Sequence, residues 1–474
     1  MDPQQRTDMT RQQRILLWLA CSAIFFEAFD VSVVNLALPL IAADLRVSLA
    51  SAQWIQTVYL LSFGGFLLLG GRLCDHYGSR FIFMRGMLLF GGASALAFFS
   101  GHLAWLLPAR VGQGIGAALA MPAGISLLSR HFKAAQQRMA FGIFGAFAAI
   151  GFAGGLALGG LIATLLNWHW IFGINVPVIG LALLPGHRYI PPDTRQPGSI
   201  PPHARQSGSR PNGWMAAWLT LTLLVLSGAV HEATRLRTAV LPWLAGALLS
   251  GILLLRVDRR LRQPFFGSGV YPAREAWRGL SAFTLLGASF LPFVFTCTLG
   301  LQVCLGRSVL STGLLLFPYS VGSALVSRYL LPWLYQRMSP VRVALLCMVC
   351  LLVGDGLLAA GIGSRQGGYF WGSLLLVNSI AIAIGYPAFT VLSLTGVAPA
   401  RQGIAAGIQS TLYTAGSGLG LSLTSFCLEA MGPAAGGVSK AALLSCCAVV
   451  GVLALAALVI LASKPKKAYI CTPI

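Results

Sequence analysis

GGRLCDHYGSR, residues 70–80, is a short charged stretch between two long apolar segments of this chain. The flanking segments, roughly residues 52–72 and 81–100, are each about as long as the 20 or so helical residues that cross a hydrocarbon core of about 30 Å. A charged turn between two such segments is typical of a membrane-spanning hairpin. The stretch therefore predicts that the chain crosses a lipid bilayer on either side of it.

Composition extends this prediction to the whole chain. Of its 474 residues, 56% are hydrophobic and 9% are charged, and the mean hydropathy is +0.77. Soluble proteins carry about 25% charged residues, so this sequence predicts an all-α membrane protein of about fourteen spans. The first expected span is too long for the apolar core of a cleavable signal peptide. The expected spans are roughly 15–38, 52–72, 81–100, 103–128, 139–163, 169–186, 214–231, 239–255, 279–303, 309–327, 343–361, 370–394, 403–428 and 441–462.

The basic residues predict the orientation of the chain. The formal net charge of +21 does not indicate nucleic-acid binding, because the basic residues sit in short loops rather than on one patch. With the N-terminus inside, cytoplasmic segments and span ends hold 26 of the 33 Lys and Arg, external loops hold 6, and Arg110 lies within a span. The positive-inside rule then predicts an inner (cytoplasmic) membrane protein with both termini in the cytoplasm.

The second half of the chain repeats the first at a constant offset. Pro122-Ala123 recurs as Pro387-Ala388, 265 positions later, and Gly151 and Gly155 recur as Gly416 and Gly420 at the same distance. We expect two related six-helix bundles, and two further spans fill the surplus between them. The expected segments are a cytoplasmic tail (1–14), an N-terminal bundle (15–187), a cytoplasmic linker (188–213), two inserted transmembrane helices (214–255), a cytoplasmic loop (256–278), a C-terminal bundle (279–462) and a second cytoplasmic tail (463–474).

The opening stretch also resembles a family signature. Gly71, Leu73, Asp75, Gly78 and Arg80 match the pattern Gly-x-Leu-x-Asp-x-x-Gly-x-Arg, which lies between helices two and three of the major facilitator superfamily. The glycines permit close backbone approach and a tight turn, and the two charges can hold neighbouring helix ends together. The alternative is an ordinary basic loop. The resemblance implies a gating role for this loop and a substrate site between two six-helix halves near the midplane.

Other motifs resemble the fourteen-helix drug:proton antiporters of that superfamily. Asp30-x-x-x-x-Asn35-x-Ala-Leu-Pro lies in the first span, Arg110-Val-Gly-Gln113-Gly-Ile-Gly in the fourth, and a glycine-rich run in the fifth. This subfamily usually has prolines where this chain has Phe152 and Leu156, which weakens the argument for export but leaves the packing glycines intact. Small residues of this kind let helices approach and slide. The expected helix-packing residues are Gly114, Gly151, Gly155, Gly159 and Gly160.

Three of the twelve acidic residues fall inside expected spans: Glu27, Asp30 and Asp355. A carboxylate in the membrane costs a few kcal/mol and is a functional hypothesis by default. Glu27 and Asp30 share one helix face, where burial and mutual repulsion favour the protonated form, so one of them could exchange a proton near neutral pH. The alternative for this pair is a helix–helix hydrogen bond, and for Asp355 a packing or external-vestibule role.

Arg110 cannot be neutralised, so inside a span it needs a carboxylate or carbonyl partner. It could act as a counter-ion in proton coupling or as a packing salt bridge. With Glu27, Asp30 and Asp355 it completes the predicted proton-coupling set. Candidate substrate-cavity residues, for each of which ordinary packing is the alternative, are Phe26, Asn35, Trp54, Tyr59, Gln113 and Tyr386.

These features predict a proton-coupled antiporter that exports drugs or amphipathic small-molecule metabolites by alternating access. Proton-coupled uptake of a small solute is the main alternative; a membrane-embedded enzyme and a sensor are remote ones. Cys347 and Cys350 lie in an apolar helix, and the histidines lack metal-ligand spacing. We therefore expect no catalytic residue, metal or cofactor, with the proton gradient as energy source. The expected partners are a small-molecule substrate, protons and the lipid bilayer, but no nucleic acid, and the expected functional unit is a monomer.

Overall fold

The computed structural model describes residues 9–132, 134–190, 213–232, 240–261, 274–397, 402–431 and 438–463. Parts of the predicted linker 188–213, loop 256–278 and two tails (residues 191–212, 262–273, 1–8 and 464–474) lie outside these ranges. Within them the regular structure is entirely helical, which confirms the all-α prediction.

Fourteen helices follow one another in the described residues. Eleven of them are long and apolar enough to cross a membrane. The bounds of all fourteen helices are α1 (Arg11–Asp44), α2 (Leu49–Tyr77), α3 (Ser79–Phe98), α4 (Leu103–His131), α5 (Ala134–Leu165), α6 (Trp170–Gly173 and Asn175–Tyr189), α7 (Gly213–Glu232), α8 (Val240–Arg260), α9 (Arg274–Val303), α10 (Val309–Arg337, with a π turn at Val326–Leu330), α11 (Pro340–Ser364), α12 (Gly367–Leu394, with a π turn at Leu375–Ala381), α13 (Gln402–Ala430) and α14 (Lys440–Ala462).

Glycine lets α5 lie directly against α1. A Cβ atom at Gly151 would lie 2.6 Å from the carbonyl oxygen of Phe25, and one at Gly155 would lie 2.6 Å from that of Phe29. Real Cβ atoms do not approach backbone so closely, so only glycine fits at these two positions. The contact fixes α5 beside the turn of α1 that carries Asp30.

The C-terminal half contains the same glycine-mediated helix contact. Gly416 and Gly420 of α13, the repeats of Gly151 and Gly155, face the carbonyl oxygens of Thr284 and Ala288 on α9. In both halves the partner carbonyls are one helical turn apart. The sequence repeat is thus a repeat of packing geometry, in which α13 lies on α9 as α5 lies on α1.

The two inserted helices form a pair that contacts both halves. Helix α7 packs on α8, on α2 and on α13. Its Thr220 lies against Gly65 of α2, where a Cβ atom would meet the threonine side chain. Its Ser227 shares a hydrogen bond with Ser422 of α13. The pair therefore lies across the junction between the halves.

Candidate functional site

A buried ion pair joins α1 to α4 in the interior of the N-terminal half. Nη1 of Arg110 lies 2.5 Å from Oδ2 of Asp30, and both side chains are fully buried. Removing either partner of such a pair would leave the other charge buried and uncompensated. The structure therefore supplies the carboxylate partner that the sequence required for Arg110.

Polar groups from three helices surround the arginine. Its Nε donates to the carbonyl oxygen of Ile55 at 2.9 Å, and its Nη1 donates to Oε1 of Gln113 at 2.8 Å. Gln113 in turn donates to Oγ of Ser94 on α3, also at 2.8 Å. This series of hydrogen bonds connects the ion pair to α2, α3 and α4, so a change in the pair would alter contacts of all three helices.

Aromatic rings cover the guanidinium. Its Cζ lies 4.2 Å from the centre of the Tyr59 ring and 5.7 Å from that of Phe172. A cation over an aromatic face is attracted by about 0.5–2 kcal/mol, and more where it is desolvated. Tyr59 and Gln113, predicted as cavity residues, thus belong to the surroundings of Arg110.

Several buried atoms of this cluster have no hydrogen-bond partner among the described residues. They are Oδ1 of Asp30, Nη2 of Arg110, the hydroxyl of Tyr59 and Oε1 of Gln56. A buried polar atom without a partner costs about 1–3 kcal/mol. Among the described residues the second carboxylate oxygen of Asp30 therefore accepts no hydrogen bond, and a proton could bind to it without displacing a donor.

Glu27 lies beside this cluster but on the side of the C-terminal half. The side chain is half-buried, and Arg110 pairs with Asp30 rather than with Glu27. Glu27 interacts electrostatically with Asp30 and also with Tyr386 and Tyr413 of the opposite half. One carboxyl group of the predicted pair is thus locked to Arg110, while the other faces the opposite bundle.

The opposing wall is an aromatic cluster from three helices of the C-terminal half. Ring centres of Phe283 and Tyr413 are 4.9 Å apart in a stacked pair, and Tyr386 contacts both at 5.2 and 5.4 Å. Tyr386 nevertheless keeps 39% of its surface exposed. Glu27 thus interacts across the junction between the bundles with an aromatic cluster made of Phe283, Tyr386, Phe389 and Tyr413.

The remaining cavity candidates lie elsewhere. Asn35 accepts a hydrogen bond from Thr298 of α9 at 3.2 Å. Trp54 borders a small gap that is also lined by Ser422 and Ser425 of α13. Both residues lie at contacts between the halves, Asn35 in the last third of α1 and Trp54 in the first two turns of α2. Phe26 is buried against Phe25 and Phe90 and is a packing residue.

Asp355 is separate from the site. It is buried on α11 against α14, where its Oδ2 lies near Gly451. Its Oδ1 has no hydrogen-bond partner among the described residues. The structure thus does not bring Asp355 to the Asp30–Arg110 pair, whereas Glu27 lies beside that pair.

The signature loop lies at the junction of α2 and α3. Gly78 has a φ of 96°, which makes the tight turn. Close backbone approach occurs at Gly70, whose Cβ position faces the carbonyl oxygen of Ala118, whereas Gly71 faces open space, so that part of the expectation is wrong for Gly71. Asp75 lies 3.8 Å from Arg130 at the end of α4.

The glycines predicted as helix-packing residues lie at contacts between helices. Gly114 faces the backbone of α2, where a Cβ atom would lie 2.6 Å from the carbonyl oxygen of Tyr59. Gly159 meets Val33 of α1, and Gly160 meets the backbone of Leu310 on α10. Leu156, at a position where the antiporter motif usually has proline, is fully buried and presents its carbonyl oxygen to Gly313 of α10. This part of α5 therefore packs against both halves.

Sequence reasoning missed several residues that matter here. Phe283 and Tyr413 complete the aromatic wall, and Gln53 bridges to Thr424 and Ser425 of the other half. A signal was present for Tyr413, since Ser410, Tyr413 and Ser417 fall at helical spacing on one face of α13. Gln53 carried no signal beyond its polarity.

Comparisons with known proteins agree with this architecture. The model of the Major Facilitator Superfamily matches residues 20–421. A cephamycin export protein of Amycolatopsis lactamdurans is 33% identical over 443 residues, covering 88% of this chain and 85% of that protein. A puromycin resistance protein of Streptomyces alboniger is 32% identical over 419 residues, covering 85% and 79%. The crystal structure of an auto-inhibited POT family peptide transporter superposes with a TM-score of 0.66 at 18% identity, covering 97% of this chain and 99% of that one.

Proposed function

The chain belongs to the Major Facilitator Superfamily, and we propose that it exports drugs or amphipathic small-molecule metabolites in exchange for protons. It is a multi-pass membrane protein of a family of small-molecule transporters. Export is supported by the two relatives, of which one is named for export and the other for resistance. The observation that carries the proton-coupled part is the buried Asp30–Arg110 pair, with Glu27 beside it.

In this proposal the carboxyl groups of Asp30 and Glu27 have different roles. A proton on Asp30 neutralises the carboxylate and weakens its hold on Arg110, which changes the contact between α1 and α4. Glu27 faces the aromatic cluster, where a cationic or amphipathic substrate would displace its proton. Proton and substrate therefore compete for the same space, which is the requirement for exchange. Asp355 is a second, separate candidate for proton binding.

The energy available is sufficient for this role. One charge moving through 100 mV is worth about 2.3 kcal/mol, and about 1.4 kcal/mol is tenfold in an equilibrium. One proton could thus sustain a substrate gradient of roughly fifty-fold.

Further parts of the proposal follow from the charge pattern of the sequence. We place the protein in the inner membrane with both termini and the Asp75–Arg80 loop in the cytoplasm. The loop would control alternating access, and the two six-helix bundles would rock about the site while α7 and α8 stand outside them. The protein would work as a monomer, without a bound cofactor and without enzymatic activity.

Reconstitution into liposomes tests the proposal. A proton gradient is imposed, and proton leak is followed with a fluorescent dye while candidate antibiotics are added from either side. Exchange predicts that substrate and proton move in opposite directions and that substrate accumulates only when the gradient is present. Movement of both in the same direction would identify an uptake symporter instead.

A further inference from the structure

A fully buried asparagine on α6 has no hydrogen-bond partner for either end of its side-chain amide. Asn175 is 0% exposed, and neither its Nδ2 nor its Oδ1 is hydrogen-bonded among the described residues. A buried polar atom without a partner destabilises the folded state, and in a native protein it calls for an explanation. The ion-pair site described above does not use this residue, so its role is open.

The packing of α6 on α3 fixes the depth of this asparagine. A Cβ atom at Gly173 would lie 2.6 Å from the ring of Phe98. Further along α6, the side chain of Ile179 lies 3.1 Å from the Cβ position of Gly91, so the two helices run antiparallel. The asparagine follows Gly173 by two residues and therefore lies opposite the turn of α3 that begins at Ser94.

The packing of α4 on α3 brings Arg110 to the same depth. A Cβ atom at Gly112 would lie 3.1 Å from that of Ala93. One at Gly116 would lie 2.6 Å from the backbone nitrogen of Phe90, so α4 also runs antiparallel to α3. Because Arg110 precedes Gly112 by two residues, it lies opposite the same turn of α3 as the asparagine of α6.

Phe172 shows which way this part of α6 faces. Its ring centre lies 5.7 Å from Cζ of Arg110, and Asn175 follows it by three residues. The intervening Ile174 keeps a right-handed helical backbone (φ −63°, ψ −27°), so positions three apart share one face. Among the described residues, Nη2 of Arg110 is a buried donor without an acceptor, and Oδ1 of Asn175 is a buried acceptor without a donor. The two atoms are therefore complementary.

We propose that Asn175 is the second partner of Arg110 and holds its guanidinium whenever Asp30 is protonated. While Asp30 is charged, it binds Nη1 of Arg110. Protonation removes the charge that binds the guanidinium, which stays positive and needs another acceptor. The amide oxygen of Asn175 supplies one, so α4 exchanges a bond to α1 for a bond to α6. This inference rests on the proposed role of Asp30 in proton coupling and makes Asn175 a positioning residue.

Few ionisable groups surround this exchange. Glu27 on α1, Tyr59 on α2 and Arg110 on α4 interact electrostatically with Asp30. Among the described residues, the stretches of α3, α5 and α6 packed beside it contain no ionisable side chain. A hydrogen bond that forms only when Asp30 is protonated favours the protonated state. Its loss should therefore lower the pH at which Asp30 takes up a proton.

Two substitutions remove the proposed acceptor. Asn175→Leu keeps the approximate size of the side chain, and Asn175→Ala truncates it. Because the amide has no partner while Asp30 is charged, Asn175→Leu should melt no lower than the wild type at high pH. The matched control is Asn378→Leu, since Asn378 is a buried asparagine of the other half whose amide donates to Ser320.

The experiment is an infrared titration of the full chain in detergent, in which the band of the protonated Asp30 carboxyl group is identified by its loss in Asp30→Asn. Asn175→Leu and Asn175→Ala should lower the midpoint of this band by about one to two pH units. Asn378→Leu should lower the melting temperature but leave the midpoint unchanged. An asparagine with a merely structural role would not move the midpoint.

Three outcomes would contradict the inference. An unchanged or raised midpoint in the Asn175 variants would overturn it and leave the proposed function untouched. Failure of both variants to fold would mean that the amide already has a partner while Asp30 is charged, and would overturn it as well. A wild type that never shows the band would overturn it together with the proposed coupling role of Asp30.

Discussion

Single substitutions at Asp30 and Arg110 act through a shared buried charge. Removing one partner of a buried pair leaves the other uncompensated, at a cost of about 3–5 kcal/mol. Loss of transport in such a variant would therefore mix a coupling defect with a folding defect. The two are separable here because asparagine can still accept a hydrogen bond from Arg110 at the position of Oδ2.

We expect Asp30→Asn to abolish transport driven by a proton gradient while downhill movement of substrate persists, because the variant keeps the contact with Arg110 but cannot take up a proton. Asp30→Glu should retain partial activity. Both are measured in proteoliposomes with and without a gradient, with thermal unfolding as the folding control. If Asp30→Asn still accumulates substrate against a gradient, coupling lies elsewhere and Asp355 becomes the next candidate.

Tyr59 allows the contribution of its ring to be separated from that of its hydroxyl. The hydroxyl has no partner among the described residues, whereas the ring covers Arg110. Tyr59→Phe should raise thermal stability, because it removes a buried hydroxyl that has no partner, and Tyr59→Leu should lower the free energy of unfolding by about 0.5–2 kcal/mol relative to Tyr59→Phe. Equal melting temperatures for the two variants would mean that the cation–π contact contributes nothing measurable.

At the scale of single residues, the sequence predicted that Arg110 needs a partner but not which carboxylate would supply it. An arginine inside a span requires a carboxylate or carbonyl, and the structure supplies both, from Asp30 and Ile55. Glu27 and Asp30 lie on the same face of α1, so spacing alone could not say which of them meets α4. That depends on the rotation of α1 about its axis. The rotation is determined by contacts with glycines of α5, which lie far from α1 in the sequence.

Among the elements, the contact of α5 with α1 offers a matched pair of glycines. Gly155 touches the backbone of α1, whereas at Gly154 a Cβ atom would meet nothing within 4 Å. Gly155→Leu should push the two helices apart beside Asp30, lowering the melting temperature and abolishing transport. Gly154→Leu should leave both nearly unchanged. Similar losses in the two variants would show that glycine is needed here for flexibility rather than for contact.

The signature loop should affect rate rather than affinity. Asp75 and Arg130 are 69% and 44% exposed, and an exposed pair contributes only about 0–1 kcal/mol to stability. Asp75→Asn should therefore slow turnover strongly with little change in substrate affinity or melting temperature. The double exchange of Asp75→Arg with Arg130→Asp should restore part of the rate. A large loss of affinity with normal turnover would place Asp75 in the binding site.

Helix number was predictable because each span needs only sufficient apolar length, and all fourteen expected spans overlap a helix. The irregular elements were not. The break in α6 at Ile174 and the π turns in α10 and α12 could not be predicted in this way, because the residues there are as apolar as the rest of each helix. Asp355 was likewise placed on the correct helix, but its distance from the site depends on how α11 packs against α14.

For the molecule as a whole, the state in the structure is defined by contacts between the halves near the C-terminal end of α1 and the N-terminal end of α2. Gln53 donates to Thr424 at 2.9 Å and accepts from Ser425, and Gln302 donates to the carbonyl oxygen of Leu36 at 3.3 Å. Tyr386, further toward the proposed cytoplasmic side, stays exposed. In the orientation proposed above, these contacts hold the two halves together on the outer side of the membrane.

Alternating access requires these outer contacts to break in every cycle. A disulfide between Gln53→Cys and Thr424→Cys should therefore hold the protein closed to the outside and stop transport, and a reducing agent should restore it. Binding of substrate to the cytoplasmic face, measured in inside-out vesicles, should survive the cross-link, because the aromatic cluster and Glu27 are untouched. The wild type treated with the same oxidant controls for its own ten cysteines. Transport that continues in the fully cross-linked protein would mean that the halves do not separate at Gln53, and that substrate passes the membrane without the rocking motion proposed for this fold.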